Sequence, residues 1–425
     1  MSIEKSSDRS KRLLALSSAA LALPGMGPQV AQAAQPTETT ASYRFTMYRE
    51  SSLSASEVAN EPGNTTGIPQ VGATSRYDID VHQLGLSGPI GSQFGYSVAI
   101  QSETLSGASP WYTERALDGT VDVVMSGASI KDKRQDINAA LTYFYDGGSY
   151  SGHFAYSTED DYESTSFGAS MEREFDNKQT AVSAGFSVSE DFVDPENDAS
   201  RVNAVFPVAP PDPSSGRGNE VGKKDSYSLF VSAARVISPI SQVLSGISYT
   251  NKSGYLTDPY KRFDRRPDDK EQFTWNVSYR HYLKKNKTAM HADYRFYSDS
   301  WGVNSHTITT SMYRTFHKLQ IVPTLRYYLQ SEADFYQPHV EREVPGDFFS
   351  GRQTYNFYSD DARLSDYGAI SFGTKFILKL KPWDLSFNAE YYKAAQDIAP
   401  SKSSNLENPG LVTFYRLTFG IDRKF

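Results

Sequence analysis

The sequence predicts an all-β protein: a transmembrane antiparallel β-barrel of about 16 strands, with roughly 14 to 18 compatible with the pattern. Three observations lead there. From Ser42 onward, runs of about ten residues alternate apolar or aromatic with polar side chains, the period of a strand with one face in lipid. Those runs are joined alternately by tight turns and by long polar loops. Only 38% of the residues are hydrophobic while 13% are aromatic, with 28 Tyr and 24 Phe, which suits interfacial aromatic belts better than a soluble core of Leu, Ile and Val. The mature chain offers no apolar run of about 18 residues, so a membrane crossing must use strands, and their unsatisfied edges force closure.

Residues 1–33 read as a secretory signal peptide. Lys5, Arg9, Lys11 and Arg12 precede the apolar run Leu13 to Leu23, and Ala31-Gln32-Ala33 supplies a small-x-small cleavage site. The barrel then covers 34–425. A net charge of -7 with no basic block gives no support for a nucleic-acid partner. The absence of cysteine excludes a disulfide framework, a thiolate metal site, a thioether-linked haem and lipoprotein acylation.

Along the chain, Tyr77, Ile79 and Val81 alternate with Asp78, Asp80 and His82, and after the turn Ser87-Gly88-Pro89-Ile90-Gly91 the residues Phe94, Tyr96, Val98 and Ile100 share one face. Ile137, Ala139, Leu141, Tyr143 and Tyr145 run into Gly147-Gly148, and Phe167, Ala169 and Met171 precede the turn Asp176-Asn177-Lys178. Further tight turns are expected at Ser238-Pro239-Ile240, at Lys284 to Lys287, at His317-Lys318 and at Lys381-Pro382-Trp383. The long connections span about 51–75, 105–134, 191–224, 252–270, 331–360 and 396–408, with shorter ones near Glu159 and Trp301. This asymmetry puts turns in the periplasm and loops outside, and an even strand number leaves both termini periplasmic.

In the last strand Leu411, Thr413, Tyr415, Leu417, Phe419, Ile421, Arg423 and Phe425 share one face. A terminal aromatic behind alternating apolar residues resembles the signal read by the bacterial barrel-assembly machinery, so Phe425 is expected to carry it. Outer-membrane lipids are the other expected contact.

Taking the apolar face as lipid-facing turns the alternate residues into the lumen. His291, Asp293, Arg295, Tyr297 and Asp299 then oppose Met290, Ala292, Tyr294 and Phe296. Asn276, Ser278 and Arg280 likewise face inward, as do Arg326, Tyr328, Gln330 and Glu332. Such a polar lumen of both charge signs could tune ion selectivity or seat a partner, or its charges could simply neutralise one another. His291 and Asp293 on one strand face fall short of the three or four ligands a metal needs. The seven histidines are scattered, and neither Gly-x-Ser-x-Gly nor His-Glu-x-x-His occurs, so no catalytic constellation and no enzyme is expected.

Several loop segments stand out: 106–111 ending in Trp111, 125–130, 254–261 with Asp258, Tyr260 and Lys261, and 265–268 with Arg265, Arg266 and Asp268. Their Gly, Pro and Asp are first of all turn chemistry. Together with 159–162, 293–302, Ser305-His306-Thr307 and the pair Arg326-Tyr327-Tyr328 and Ala333-Asp334-Phe335-Tyr336, they resemble an uncharacterised family of bacterial outer-membrane proteins, a domain of unknown function. The resemblance implies a barrel encoded near a small flavin-carrying lipoprotein, a flavin transferase and a thioredoxin-like protein. By that association the barrel would sheathe a small redox lipoprotein and pass electrons outward. The flavin would belong to the partner, since the barrel offers no cofactor motif of its own. A water-filled, porin-like channel for small solutes or ions is the alternative.

Overall fold

The computed structural model describes residues 35–58, 74–115, 119–125, 130–160, 162–193, 222–258, 261, 264–339, 357–400 and 406–425. The predicted signal peptide, Tyr260 and residues 126–129 lie outside that set. In chain order the strands are β1 (Thr40–Glu50), β2 (Asp78–Ile90), β3 (Phe94–Gly107), β4 (Pro110–Arg115), β5 (Val121–Met125), β6 (Ile130–Tyr145), β7 (Gly148–Thr158), β8 (Tyr162–Phe175) and β9 (Thr180–Val193). They continue with β10 (Gly222–Ser238), β11 (Ser241–Gly254), β12 (Asp269–Leu283), β13 (Thr288–Asp299), β14 (Asn304–Phe316), β15 (Leu319–Gln330), β16 (Tyr367–Leu380), β17 (Trp383–Ala395) and β18 (Thr413–Lys424).

All but β4 and β5 pair with their neighbours, and β1 closes on β18 to give a barrel of 16 antiparallel strands. The tight turns gather at one rim, where left-handed backbone at Asp176, Asn177, Lys178, Lys287 and His317 and at Gly91 and Gly147 reverses the chain. Sequence and structure differ slightly at the first of these. Residues 87–90 belong to β2, and the turn is 91–93. The long connections gather at the other rim, and 105–134 contains its own hairpin, β4–β5.

The outer face is apolar. Leu84, Phe167, Leu229 and Phe372 are 54 to 59% exposed, and comparable side chains recur on strand after strand, a surface that only lipid can cover. The predicted facing of β3, β6, β8, β13, β15 and β18 is observed, but that of the first half of β2 is reversed. Ile79 and Val81 pair with Tyr48 and Thr46 on the inner side, while His82, Leu84 and Leu86 look outward. Alternation runs unbroken through β2, and Leu84 and Leu86 in its lipid-level half set the phase. Nearer the loop rim, outward Asp80 is neutralised by Arg49 at 2.6 Å.

The inner face is divided. From β7 to β11 it is mostly small and hydroxyl-rich, with Ser189 bonded to Ser226 at 2.6 Å and Ser228 to Thr250 at 2.7 Å, and His153, Glu172 and Phe230 are among its larger members. From β12 round to β1 it carries Arg, Tyr, His, Asp and Glu side chains.

Candidate functional site

The predicted lumen residues fall where the alternation puts them, with one exception. Arg280 pairs with Asp293 at 2.6 Å, and His291 lies against the Tyr313 ring at 4.2 Å. Asp299, at the loop end of β13, accepts from Lys270 at 2.9 Å, and that ammonium also sits 3.9 Å over the Trp301 ring. Arg295 and Arg326 face inward without a carboxylate partner among the described residues. The exception is Glu332, which lies past the end of β15 at Gln330 and so belongs to a loop. Among the described residues His291 and Asp293 gain no third metal ligand.

The loop rim holds a second constellation. A ring of 16 tilted strands is about 30 Å across, so loops rooted far apart on it can meet only over the mouth. Three of them do. Lys261, between β11 and β12, donates to the Pro110 carbonyl on β4 at 3.1 Å, although β10, β9, β8 and β7 stand between their roots. Thr113 on β4 donates from its backbone N–H to Asp360, between β15 and β16, at 2.7 Å. Arg363 closes the triangle by donating to Asp258 at 2.7 Å. Two more connections join: Asn408 donates to the Asp360 carbonyl at 2.9 Å and to the Tyr336 hydroxyl at 3.0 Å, and Arg76 pairs with Glu50 at 2.6 Å and reaches the Gly410 carbonyl.

This cap is buried and ionic at its centre. Ser359, Asp360, Asp361 and Asn408 are at most 3% exposed. Asp361 accepts from Arg266 at 2.9 Å and pairs with Arg363, and Ser359 donates to Asp264 at 2.5 Å. Arg265 exchanges two backbone hydrogen bonds with Tyr358. An apolar cluster of Trp301, Val303, Ala333, Tyr336 and Leu364 seats these groups on the barrel. Trp301, Phe335, Phe357 and Pro267 also line an open depression of about 340 Å³.

Burial dominates the protonation of Asp360 and pushes its carboxyl up to about 6, against the two hydrogen bonds from Thr113 and the charge of Lys261. Burial raises Asp264 as well. Asp361 goes the other way: burial alone would raise it, but Arg363, Lys261 and Arg266 outweigh that and hold it below the usual carboxylate range.

Sequence reasoning found part of this cap. Asp258, Lys261, Arg265 and Arg266 are in it, Trp111 sits beside Tyr112 on β4 in an edge contact at 5.3 Å, and Asp268 accepts from Gly254 through its carbonyl. It missed Thr113, Ser359, Asp360, Asp361, Arg363 and Asn408. The run Asp360-Asp361-Ala362-Arg363 was the available signal, and it looks like any solvated loop until its burial is known.

The model of a family described as Protein of unknown function (DUF3570) matches residues 13–415. The chain belongs to that family. A comparison with curated proteins gave no match. Among solved structures, the DUF3570 barrel is similar to a bacterial polysaccharide outer membrane secretin (6% identity, TM-score 0.46, 91% of this chain and 98% of that one). It is also similar to CdiB from Acinetobacter baumannii (7%, 0.47, 91% of this chain and 60% of that one) and to OccK5 of Pseudomonas aeruginosa (7%, 0.40, 92% and 100%).

Proposed function

We propose that this DUF3570 barrel is a capped sheath of the outer membrane, entered from its turn rim, that seats a small redox lipoprotein in an extracytosolic electron-transfer system. The observation that carries the reading is the cap: three loops rooted around the ring meet over the mouth through hydrogen bonds and an ion pair, with the Thr113–Asp360 bond buried. A freely conducting pore has no need of such a closure, whereas a sheath that holds its occupant while limiting leakage does. Turns and termini are periplasmic in this reading, so the occupant enters from the side where lipoproteins reside. The flavin belongs to the occupant, and the barrel supplies position rather than chemistry.

The polar lumen of both charge signs favours the second reading, a water-filled channel for small solutes or ions. Native purification from outer membranes separates the two. The sheath predicts co-purification of a flavin-bearing polypeptide and low conductance in planar bilayers. A partner-free barrel with a stable, ohmic, open channel would sink it.

A further inference from the structure

Inner-wall arginines are paired as a rule in this barrel. Arg44 holds Asp422 at 2.7 Å, Arg134 holds Asp136 at 3.1 Å, Arg280 holds Asp293 at 2.6 Å and Arg416 holds Glu390 at 2.5 Å. Arg295 on β13 and Arg326 on β15 break the rule, with no carboxylate in ion-pairing range among the described residues. The Arg295 Nε is buried without a hydrogen-bond partner among the described residues, as is that of the paired Arg416, so what sets Arg295 apart is the missing carboxylate.

The strand register brings the two together. On β14, Thr307 pairs with Arg295 and the neighbouring inward residue, Thr309, pairs with Arg326. Both guanidiniums therefore rise from either side of two short hydroxyl side chains. Tyr297 and Tyr328 stand beside them, with ring centroids 6.0 and 5.9 Å from the respective guanidinium carbons. The spot lies just beneath the cap, because Gln330, two residues beyond Tyr328, donates to the Arg363 and Ser365 carbonyls. It thus lies towards the loop end of the lumen, away from the turn rim.

We propose that Arg295 and Arg326 form a phosphate-binding subsite on the inner wall beneath the cap. Two planar forks on separate strands can engage three oxygens of one tetrahedral anion, more than a single carboxylate offers, and the tyrosines suit a phosphate carried on an aromatic or otherwise flat group. The phosphate arrives on a free solute or on a segment of the seated partner. This second source rests on the sheath reading, and the first does not.

The test uses the purified full-length barrel in detergent, titrated with inorganic phosphate, phenyl phosphate and benzoate by calorimetry. Both phosphates bind, and phenyl phosphate binds more tightly. Arg295→Gln and Arg326→Gln each weaken binding at least tenfold, and Arg295→Lys falls between. Arg134→Gln on the far wall changes it less than about twofold. Heat-modifiable mobility on gels confirms that each variant is a closed barrel. Displacement of a co-purified partner by phenyl phosphate assigns the phosphate to that partner, and retention assigns it to a solute; both support the subsite. Absent phosphate binding, equal binding of benzoate, or unchanged affinity in both glutamine variants would overturn it. A barrel that keeps a native partner but binds no phosphate loses the subsite and leaves the sheath intact.

Discussion

Asp360 makes the cap pH-dependent in a definite direction. It is 3% exposed and joins two loops rooted on opposite parts of the ring, accepting from Thr113 N at 2.7 Å and Thr113 Oγ1 at 3.2 Å. An ordinary aspartate titrates near 3.8, and burial raises this one to about 6. Because the folded carboxyl titrates above the unfolded one, its protonation favours the closed cap. That contribution is complete below about pH 3.8 and is lost as pH rises through about 6. The rise corresponds to about 3 kcal/mol, roughly a hundredfold in the opening equilibrium. The charged neighbours are Lys261 and Asp361. Asp361 titrates below the window, while Asp264 shifts in the same direction as Asp360, so a variant is needed to isolate the effect. Hydrogen exchange at the Thr113 amide, corrected for intrinsic rates, reads it directly. Between pH 4 and 7.5 protection falls by up to a hundredfold in the wild type, and most of that dependence disappears in Asp360→Asn. A flat wild-type profile, or an Asn variant that keeps the full dependence, would refute the reasoning.

Two further outcomes test the barrel itself. Leu229, 54% exposed in the middle of β10, faces lipid, so Leu229→Lys costs about 2–4 kcal/mol in denaturant unfolding from lipid vesicles. The adjacent Ser228→Lys, which faces the lumen, costs under about 1 kcal/mol, and equal costs would contradict the assigned faces. Phe425 is 63% exposed, stacks under Arg423 at 4.6 Å and donates from its backbone to Thr39. Deleting it therefore lowers the amount of assembled barrel in cells severalfold, yet shifts the stability of the refolded barrel by about 1 kcal/mol or less. A large loss of refolded stability would make it a structural residue rather than an assembly signal.

What the amino-acid order determines by itself is the part of this molecule governed by neighbours in sequence. Period-two alternation, turn residues such as Asp176-Asn177-Lys178 and the rhythm of short and long connections specify the barrel strands, their approximate number and, for most of them, the face each side chain takes, though not the β4–β5 hairpin within the 105–134 connection. At Ile79 and Val81 that logic failed, because near the loop rim the apolar requirement of lipid lapses and Leu84 and Leu86 control the phase. The tertiary structure alone decides how groups remote in sequence meet. Thr113 and Asp360 stand 247 residues apart, and nothing local announces that their loops cross the mouth to one another. The same holds for the unpaired state of Arg295 and Arg326. On paper they are two more lumen charges among many: Asp293 stands two residues before Arg295 and level with Arg326 across Thr309, and only the folded side chains show that it pairs with Arg280 instead.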